Sequence, residues 1–334
     1  MIVANATGCS SIYGGNLPTT PYTVNADGRG PAWCNSLFED NAEFALGIRA
    51  AVDQQNEFAR EILMARRDAI GAELVDKVLN NKQETEAEIA QQRQWVAELK
   101  SGAQAINCSE SKVFLSIADS LVRRSVWGFG GDGWAYDIGY GGLDHVIASG
   151  RDVNLLVMDT EVYSNTGGQA SKATPKGAVA KFAAGGKPTR KKDLGMMAIA
   201  YGNVFVAQIS LGANQAHALK AIRAAEAYHG PSLVIAYAHC IAHGIDTKVG
   251  LELQKEAVKC GYWPLYTYDP RKDQPLELVS KAPEGSVKDF ELKQNRFAVL
   301  NRAKPEVFGR LADQAQKEVE DRFNFYTALA NAKR

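Results

Sequence analysis

Lysine plus arginine and aspartate plus glutamate each number 38 in this 334-residue chain, so no net field favours nucleic acid or an anionic membrane as a partner. The length allows one large domain or two modest ones with ample core, and no apolar run reaches the roughly 18 residues of a membrane span. The first residues lack the basic and apolar regions of a secretory signal, and Cys9, Cys34, Cys108, Cys240 and Cys260 are odd in number and scattered, so the chain reads as cytoplasmic and free of a disulfide framework.

Residues 1–44 open with the β-prone Ile2-Val3-Ala4 and then turn repeatedly at glycine and proline. A loop of this length in a compact domain is either functional or disordered, and Tyr13, Tyr22 and Trp33 favour an ordered one that walls a site or straps the surface. From Asn41 to about Ser101 the composition shifts to Ala, Glu, Gln, Lys and Arg. Phe58, Ile62, Leu63, Ile70, Leu74, Val75, Val78 and Leu79 recur at helical spacing, Asn80-Asn81-Lys82 interrupts them, and Ile89, Val96 and Leu99 mark a returning helix. This predicts a helical hairpin with a structural role.

Ser125-Val126-Trp127 leads into Gly130-Gly131-Asp132-Gly133, where glycines let the backbone turn sharply and approach a ligand. An acid at a strand end would stand at the start of a helix, about Ala135 to Ala148, whose free N–H groups and dipole face an anion. The run Val153 to Met158 has the continuous apolar pattern of a strand buried on both faces of a parallel sheet, and its end delivers Asp159, Thr160 and Asn165. Magnesium takes oxygen ligands and borrows phosphate oxygens, so one carboxylate, from Asp132, plus hydroxyl, carbonyl and amide oxygens is enough for a metal-diphosphate site.

Lys172 to Lys192 carries the basic run Lys187, Arg190, Lys191 and Lys192, which reads as a solvated face, with contact to coenzyme A phosphates or an acidic electron carrier as the alternative. Asp193–Tyr201 as helix, Asn203–Gln208 as strand, Asn214–Tyr228 as helix and Ser232–Ala238 as strand then alternate as a parallel α/β sheet demands. Ligands bind outside the carboxyl ends of such strands. His239, Cys240 and His243 follow the last strand, but the other ligands of a zinc site are lacking. His145, His217 and His229 are expected on helices. After Pro270 the pattern loosens, and a C-terminal arm ends in a helix around Glu306–Ala330 with Val307, Leu311, Val319, Phe323 and Phe325 as packing residues. The fold class is therefore α/β: a mostly parallel sheet flanked by helices over 1–270, a helical hairpin inserted at about 41–101, and a C-terminal helical extension over 271–334.

The strings GGDGWAYDIGYGGLDHVIASGRDVN and VMDTEVYSNTGGQASKATPKGAVAKF, with ANATGCSS, GPSLVIAY, GYWPL and QNRFAVL elsewhere, resemble the thiamine-diphosphate domain of pyruvate:ferredoxin (flavodoxin) oxidoreductases. By that resemblance Asp132, Thr160 and the Val162 carbonyl would hold Mg2+, although the wider thiamine family often has asparagine at the position of Thr160. Thr7, Gly131, Gly133, Trp134, Ser164 and Asn165 would complete the cofactor site, with Asn165 against the thiazolium and its substrate. Cys9 and Cys240 would supply part of the ligand set of a [4Fe-4S] cluster, whose usual requirement is four thiolates; the family's remaining pair, a CxxC, would precede this chain. Cys34, Cys108 and Cys260 match no cluster position.

The implied activity is oxidative decarboxylation of pyruvate to acetyl-CoA and CO2, with electrons passed to ferredoxin or flavodoxin. Pyruvate or a related 2-oxoacid, coenzyme A, ferredoxin or flavodoxin, the remaining domains of a larger enzyme and a second copy in a homodimer would be the partners. Two other readings stay open: a thiamine-diphosphate enzyme for another 2-oxoacid, and a truncated, catalytically inactive fragment.

Overall fold

The computed structural model describes residues 1–8, 23–106 and 109–332. Cys9, Tyr13, Tyr22 and Cys108 lie outside the described residues, so the expectations placed on them have no structural counterpart here. The chain divides into two compact units, Met1 with Leu46–Val126, and Ile2–Ala45 with Trp127–Arg334.

The first unit is helical, through Asn41–Ala65 (which begins in the other unit), Arg67–Ile70, Ala72–Asn80, Glu86–Ile106 and Ser109–Ile117. Its core joins Leu63, Val75, Val78, Val96, Leu99, Phe114 and Leu121, all but free of solvent contact. The single stripe expected from Phe58 to Leu79 is broken between Ala65 and Ala72, where Gly71 has φ +124, a conformation that glycine adopts without a Cβ clash. Phe58 stays exposed, while Ile62 and Leu63 pack inward. The returning helix starts at a capping box: Glu88 N–H donates to Thr85 Oγ1 at 3.2 Å and Thr85 N–H to Glu88 Oε2 at 2.9 Å.

The second unit carries an eight-stranded sheet of β1 Ile2–Ala6, β2 Ala32–Ser36, β3 Val126–Gly130 (whose first residue is counted with the helical unit), β4 Asn154–Asp159, β5 Phe205–Ile209, β6 Ser232–Tyr237, β7 Tyr266–Tyr268 and β8 Leu276–Leu278, in the order β2-β1-β3-β4-β6-β5-β7-β8. The pairs β1–β2, β3–β4, β4–β6 and β5–β6 are parallel, and β7 and β8 add antiparallel edges. Gly130 is in register with Val157 and Asp159 with Tyr237. The carboxyl ends of β3, β4 and β6 therefore open on the same edge of the sheet.

Sequence patterning misses β2, a mostly exposed strand in the segment read as loop, because a sheet edge needs little apolar alternation. It also misses β8, three residues long, in the stretch after Pro270. The helix expected from Ala135 to Ala148 is instead two, Asp132–Tyr136 and Tyr140–Ala148. Between them Gly139 packs so closely that a Cβ would stand 2.6 Å from the Trp134 carbonyl and 2.7 Å from that of Phe38. His229 lies beyond the end of the helix Gln215–Glu226, not on it. His217 is on that helix, its Nε2 3.1 Å from Thr267 Oγ1.

The C-terminal helix runs from Pro305 to Asn331 and buries Phe308, Leu311, Ala312, Val319 and Tyr326. Phe325, expected as a packing residue, is exposed because its neighbour Tyr326 takes the inward position and donates from its hydroxyl to Asp193. No helix among the described residues is long and apolar enough to cross a membrane.

The helix Val287–Leu292 buries a lone acid. Glu291 is 1% exposed, and neither carboxyl oxygen finds a hydrogen-bond partner. Burial pushes its carboxyl up to about 8, against the pull of Arg296. Below its ordinary value of 4.5 the group is neutral folded and unfolded alike, but as pH rises to about 8 only the unfolded chain ionises, so stability falls across that interval. Glu291→Gln stays neutral throughout. Its unfolding free energy is expected to gain on that of the parent by on the order of 4 kcal/mol over this range, read from urea melts at several pH values; parallel curves would show that the buried carboxyl is already ionised in the fold.

Candidate functional site

The carboxyl edge of the sheet collects the predicted residues. Asp132 stands two residues beyond β3 as the first residue of a short helix, and is 1% exposed. The segment leaving β4 crosses it. Val162 N–H and Thr160 Oγ1 each donate to Asp132 Oδ2 at 2.7 Å. Thr160 Oγ1 also lies 3.1 Å from the Val162 carbonyl oxygen, and a hydroxyl with one proton can satisfy only one of two acceptors. Asp132 Oδ1 is buried with no partner. Burial, reinforced by the negative charge of Asp159, holds the Asp132 carboxyl well above the usual carboxylate range, despite Lys191 and its own hydrogen bonds.

Three of these atoms fit a hard cation. An unpartnered carboxylate oxygen, a hydroxyl and a backbone carbonyl are the donors that magnesium prefers, and the 3.1 Å between Thr160 Oγ1 and Val162 O is close to the roughly 2.9 Å edge of an oxygen octahedron of magnesium size. A bound cation would return the buried Asp132 carboxyl to its ionised form and give Oδ1 a partner.

Thr7, Gly131, Asp132, Gly133, Trp134, Val162, Ser164 and Asn165 all line one cleft above these atoms. Thr160 lies beneath it, fully buried, while Asn165 is exposed. The glycines of the turn are dictated by close approach: a Cβ at Gly133 would stand 2.3 Å from the Tyr163 ring, and one at Gly130 2.2 Å from that of Trp134. Cys240 is buried beside the cleft, its thiol donating to Ser164 Oγ at 2.9 Å. Cys34 is exposed on β2 and Cys260 is buried.

A second layer of charge, invisible in the sequence, lies under the first. Asp159, the last residue of β4, accepts from Tyr136 Oη at 2.5 Å and from Lys191 Nζ at 2.7 and 2.8 Å. Burial raises its carboxyl, with Lys191 opposing. Glu161 accepts from Arg296 Nη2 at 2.6 Å and Tyr262 Oη at 2.7 Å, with Lys191 Nζ 3.6 Å away. Burial would raise this carboxyl too, but Lys191 and Arg296 outweigh it and hold it down at about 2.

Lys191, read from the sequence as part of a solvated basic face, therefore turns inward, because two buried carboxylates await it. His243 is likewise committed, its Nε2 2.6 Å from the Thr160 carbonyl. A carbonyl only accepts, so Nε2 carries the proton, and burial drives the ring's basicity down to about 3. Among the described residues no three His, Cys, Asp or Glu side chains come together as a metal-ligand set. The only sequence signal for this layer was the density of polar residues around a strand end. Arg296 and Tyr262, 135 and 101 residues from Glu161, carried none.

Residues 101–236 match the family "Thiamine pyrophosphate enzyme, C-terminal TPP binding domain". Over 99% of its length the chain is 59% identical to a putative pyruvate-flavodoxin oxidoreductase of Synechocystis and 58% identical to a pyruvate-flavodoxin oxidoreductase of Trichormus variabilis. The chain is similar to pyruvate-flavodoxin oxidoreductases along nearly its whole length, and its middle stretch matches a thiamine pyrophosphate-binding family. The pyruvate:ferredoxin oxidoreductase of Moorella thermoacetica is 48% identical over the same share. The chain spans 28% of the length of the first two relatives and 29% of the third. A solved 2-oxoglutarate:ferredoxin oxidoreductase from Magnetococcus marinus, holding 2-oxoglutarate, coenzyme A and succinyl-CoA, is 20% identical, with a TM-score of 0.33 over 53% of this chain and 62% of that one.

The Gly133 contact yields a direct check on the turn. Gly133→Ala pushes a methyl into Tyr163, and is expected to destabilise the chain by about 1–3 kcal/mol, the usual range for overpacking. Adding Tyr163→Ala should recover part of that loss in thermal melts. Equal melting of Gly133→Ala and the parent would mean that the turn has slack.

Proposed function

We propose that the cleft holds the diphosphate of thiamine diphosphate through one Mg2+, with the Asp132 carboxylate, the Thr160 hydroxyl and the Val162 carbonyl as its ligands. The observation that carries this reading is the buried, unpartnered Asp132 Oδ1 beside Thr160 and Val162. Gly131, Gly133, Trp134, Thr7 and Ser164 would line the cofactor, since all five face the same cleft as Asp132. In the assembled enzyme the activity would be that named for the relatives, oxidation of pyruvate with ferredoxin or flavodoxin as electron acceptor, and coenzyme A would receive the acyl group.

Bound thiamine diphosphate supplies the nucleophilic carbon and the electron sink for decarboxylation of a 2-oxoacid. What this chain contributes is orientation and charge. Asp132 and its neighbours fix the diphosphate end, and the walls from Gly133 to Trp134 fix the approach. Asn165 presents an amide at the exposed side of the cleft, where an oriented dipole stabilises charge that develops on the substrate. Cys240, buried beside Ser164, would serve with Cys9 as a partial ligand set for a [4Fe-4S] cluster receiving the electrons, within a cytoplasmic homodimer that includes the remaining domains.

Asp132→Asn removes the only charged ligand of this site. Magnesium-dependent binding of thiamine diphosphate, followed by calorimetry, is expected to vanish in the variant; unchanged affinity would exclude Asp132 as the metal ligand.

Asn165→Ala is expected to behave differently. In the assembled oxidoreductase it should lower turnover by about 10-fold or more while leaving cofactor affinity within a few-fold, as for an interaction made mainly in the transition state. Loss of the cofactor itself would make Asn165 a binding residue.

A further inference from the structure

Between the two backbone-adjacent ligands of the proposed metal site lies a residue whose conformation is costly. Glu161 has φ +60, in the left-handed region that crowds any residue carrying a Cβ. Only two other non-glycine residues among those described, Gln83 and Phe182, share a positive φ. The turn has a consequence. In an extended strand a side chain stands away from the carbonyl two residues on, whereas here Thr160 Oγ1 and the Val162 carbonyl come within 3.1 Å of each other.

Every polar group of Glu161 is engaged. Its N–H donates to Asp159 Oδ1 at 3.1 Å, and its carbonyl accepts from Thr174 Oγ1 at 2.7 Å. Its carboxylate is gripped by Arg296, from the helix Asn295–Ala303, by Tyr262, which follows the helix Gly250–Lys259, and by Lys191, which precedes the helix Leu194–Ile199. Arg296 and Glu161 are both buried, with side chains 4% and 1% exposed. Shielded from competing water, these contacts can offset the cost of the backbone state.

We infer that Glu161 is a positioning residue for the divalent-cation site: its carboxylate, clamped by Arg296, Tyr262 and Lys191, holds the left-handed turn that aims Thr160 and Val162 at one cation. Glu161 itself does not touch the cation. The inference rests on the metal-diphosphate reading above, and the experiment separates the two.

In the 334-residue chain, Mn2+ is titrated in the presence of thiamine diphosphate and followed by electron paramagnetic resonance, with thermal melting measured alongside. Glu161→Ala loses the clamp and keeps the backbone cost, whereas Glu161→Gly loses the clamp and relieves that cost. Mn2+ affinity is expected to fall by about 10- to 100-fold in the alanine variant, the range for residues that orient metal ligands, and by less in the glycine variant. Tyr262→Phe removes one hydrogen bond and keeps the ring, so it serves where Glu161→Ala does not fold; its affinity should fall by about threefold or more. Phe114→Ala, a core truncation in the helical unit, controls for lost stability and is expected to lower the melting temperature with Mn2+ affinity intact.

Parent-like affinity, within about twofold, in Glu161→Ala or in Tyr262→Phe would overturn the positioning role, as would equal losses in the alanine and glycine variants. A parent chain that binds no Mn2+ with thiamine diphosphate would overturn the metal reading and the inference with it.

Discussion

One carboxylate ties the site together. Asp132 leaves β3 and is met by the segment leaving β4, and its Oδ2 takes both the Val162 amide proton and the Thr160 hydroxyl at 2.7 Å. These two bonds join neighbouring strand ends across a turn that is otherwise glycine. They also consume one carboxylate oxygen and leave the other, Oδ1, buried and bare. A buried polar atom without a partner costs the fold free energy, of the order of 1–3 kcal/mol, so its retention at a cleft floor points to a ligand that completes it.

Around this pair the fold separates charge by layer. The upper layer, at and just beneath the cleft floor, holds one carboxylate, a hydroxyl and a carbonyl, a set too weakly charged to hold a cation tightly without a phosphate partner. Beneath it, Asp159 and Glu161 are neutralised by Lys191 and Arg296, so the lower layer adds little net charge while fixing the backbone on which the upper layer depends. His243, in the short turn Ile241–His243 that follows β6, serves the same purpose, donating to the Thr160 carbonyl from a neutral ring. Removing either partner of such a buried pair leaves an uncompensated charge, which is why the pairing is a sharper constraint on the loop than its hydrogen bonds taken singly.

The parallel sheet was legible because buried parallel strands read as continuous apolar runs, and β4, β5 and β6 do so within a residue or two of their true limits. Asp132 and the cluster from Thr160 to Asn165 were legible for a different reason, since a glycine turn with an acid, a strand end and a polar cluster follow one another within a short stretch of chain, whereas Thr7, Trp134 and Ser164 as cofactor-lining residues came from the family resemblance. The edge strands β2 and β8 were not, since an exposed edge and a three-residue strand carry no periodic signal. The split of the helix after Asp132 was hidden too, because the break at Gly139 answers to carbonyls of Trp134 and Phe38 rather than to any local breaker.

Short-range patterns along the chain specify the α/β alternation, the helical character of the stretch after Asn41, and Asp132 with the polar cluster after β4 as a candidate metal-diphosphate site, whereas Thr160 and Val162 as metal ligands came from the family resemblance. Only the tertiary structure decided which charges are buried. Lys191 lies in a basic run that looks solvated, yet it turns in against Asp159. Arg296 reaches Glu161 across 135 residues of sequence. Whether a charged side chain faces water or a buried partner depends on the field of groups brought together from distant segments, and that field exists only once the strands are paired and the C-terminal helices have packed.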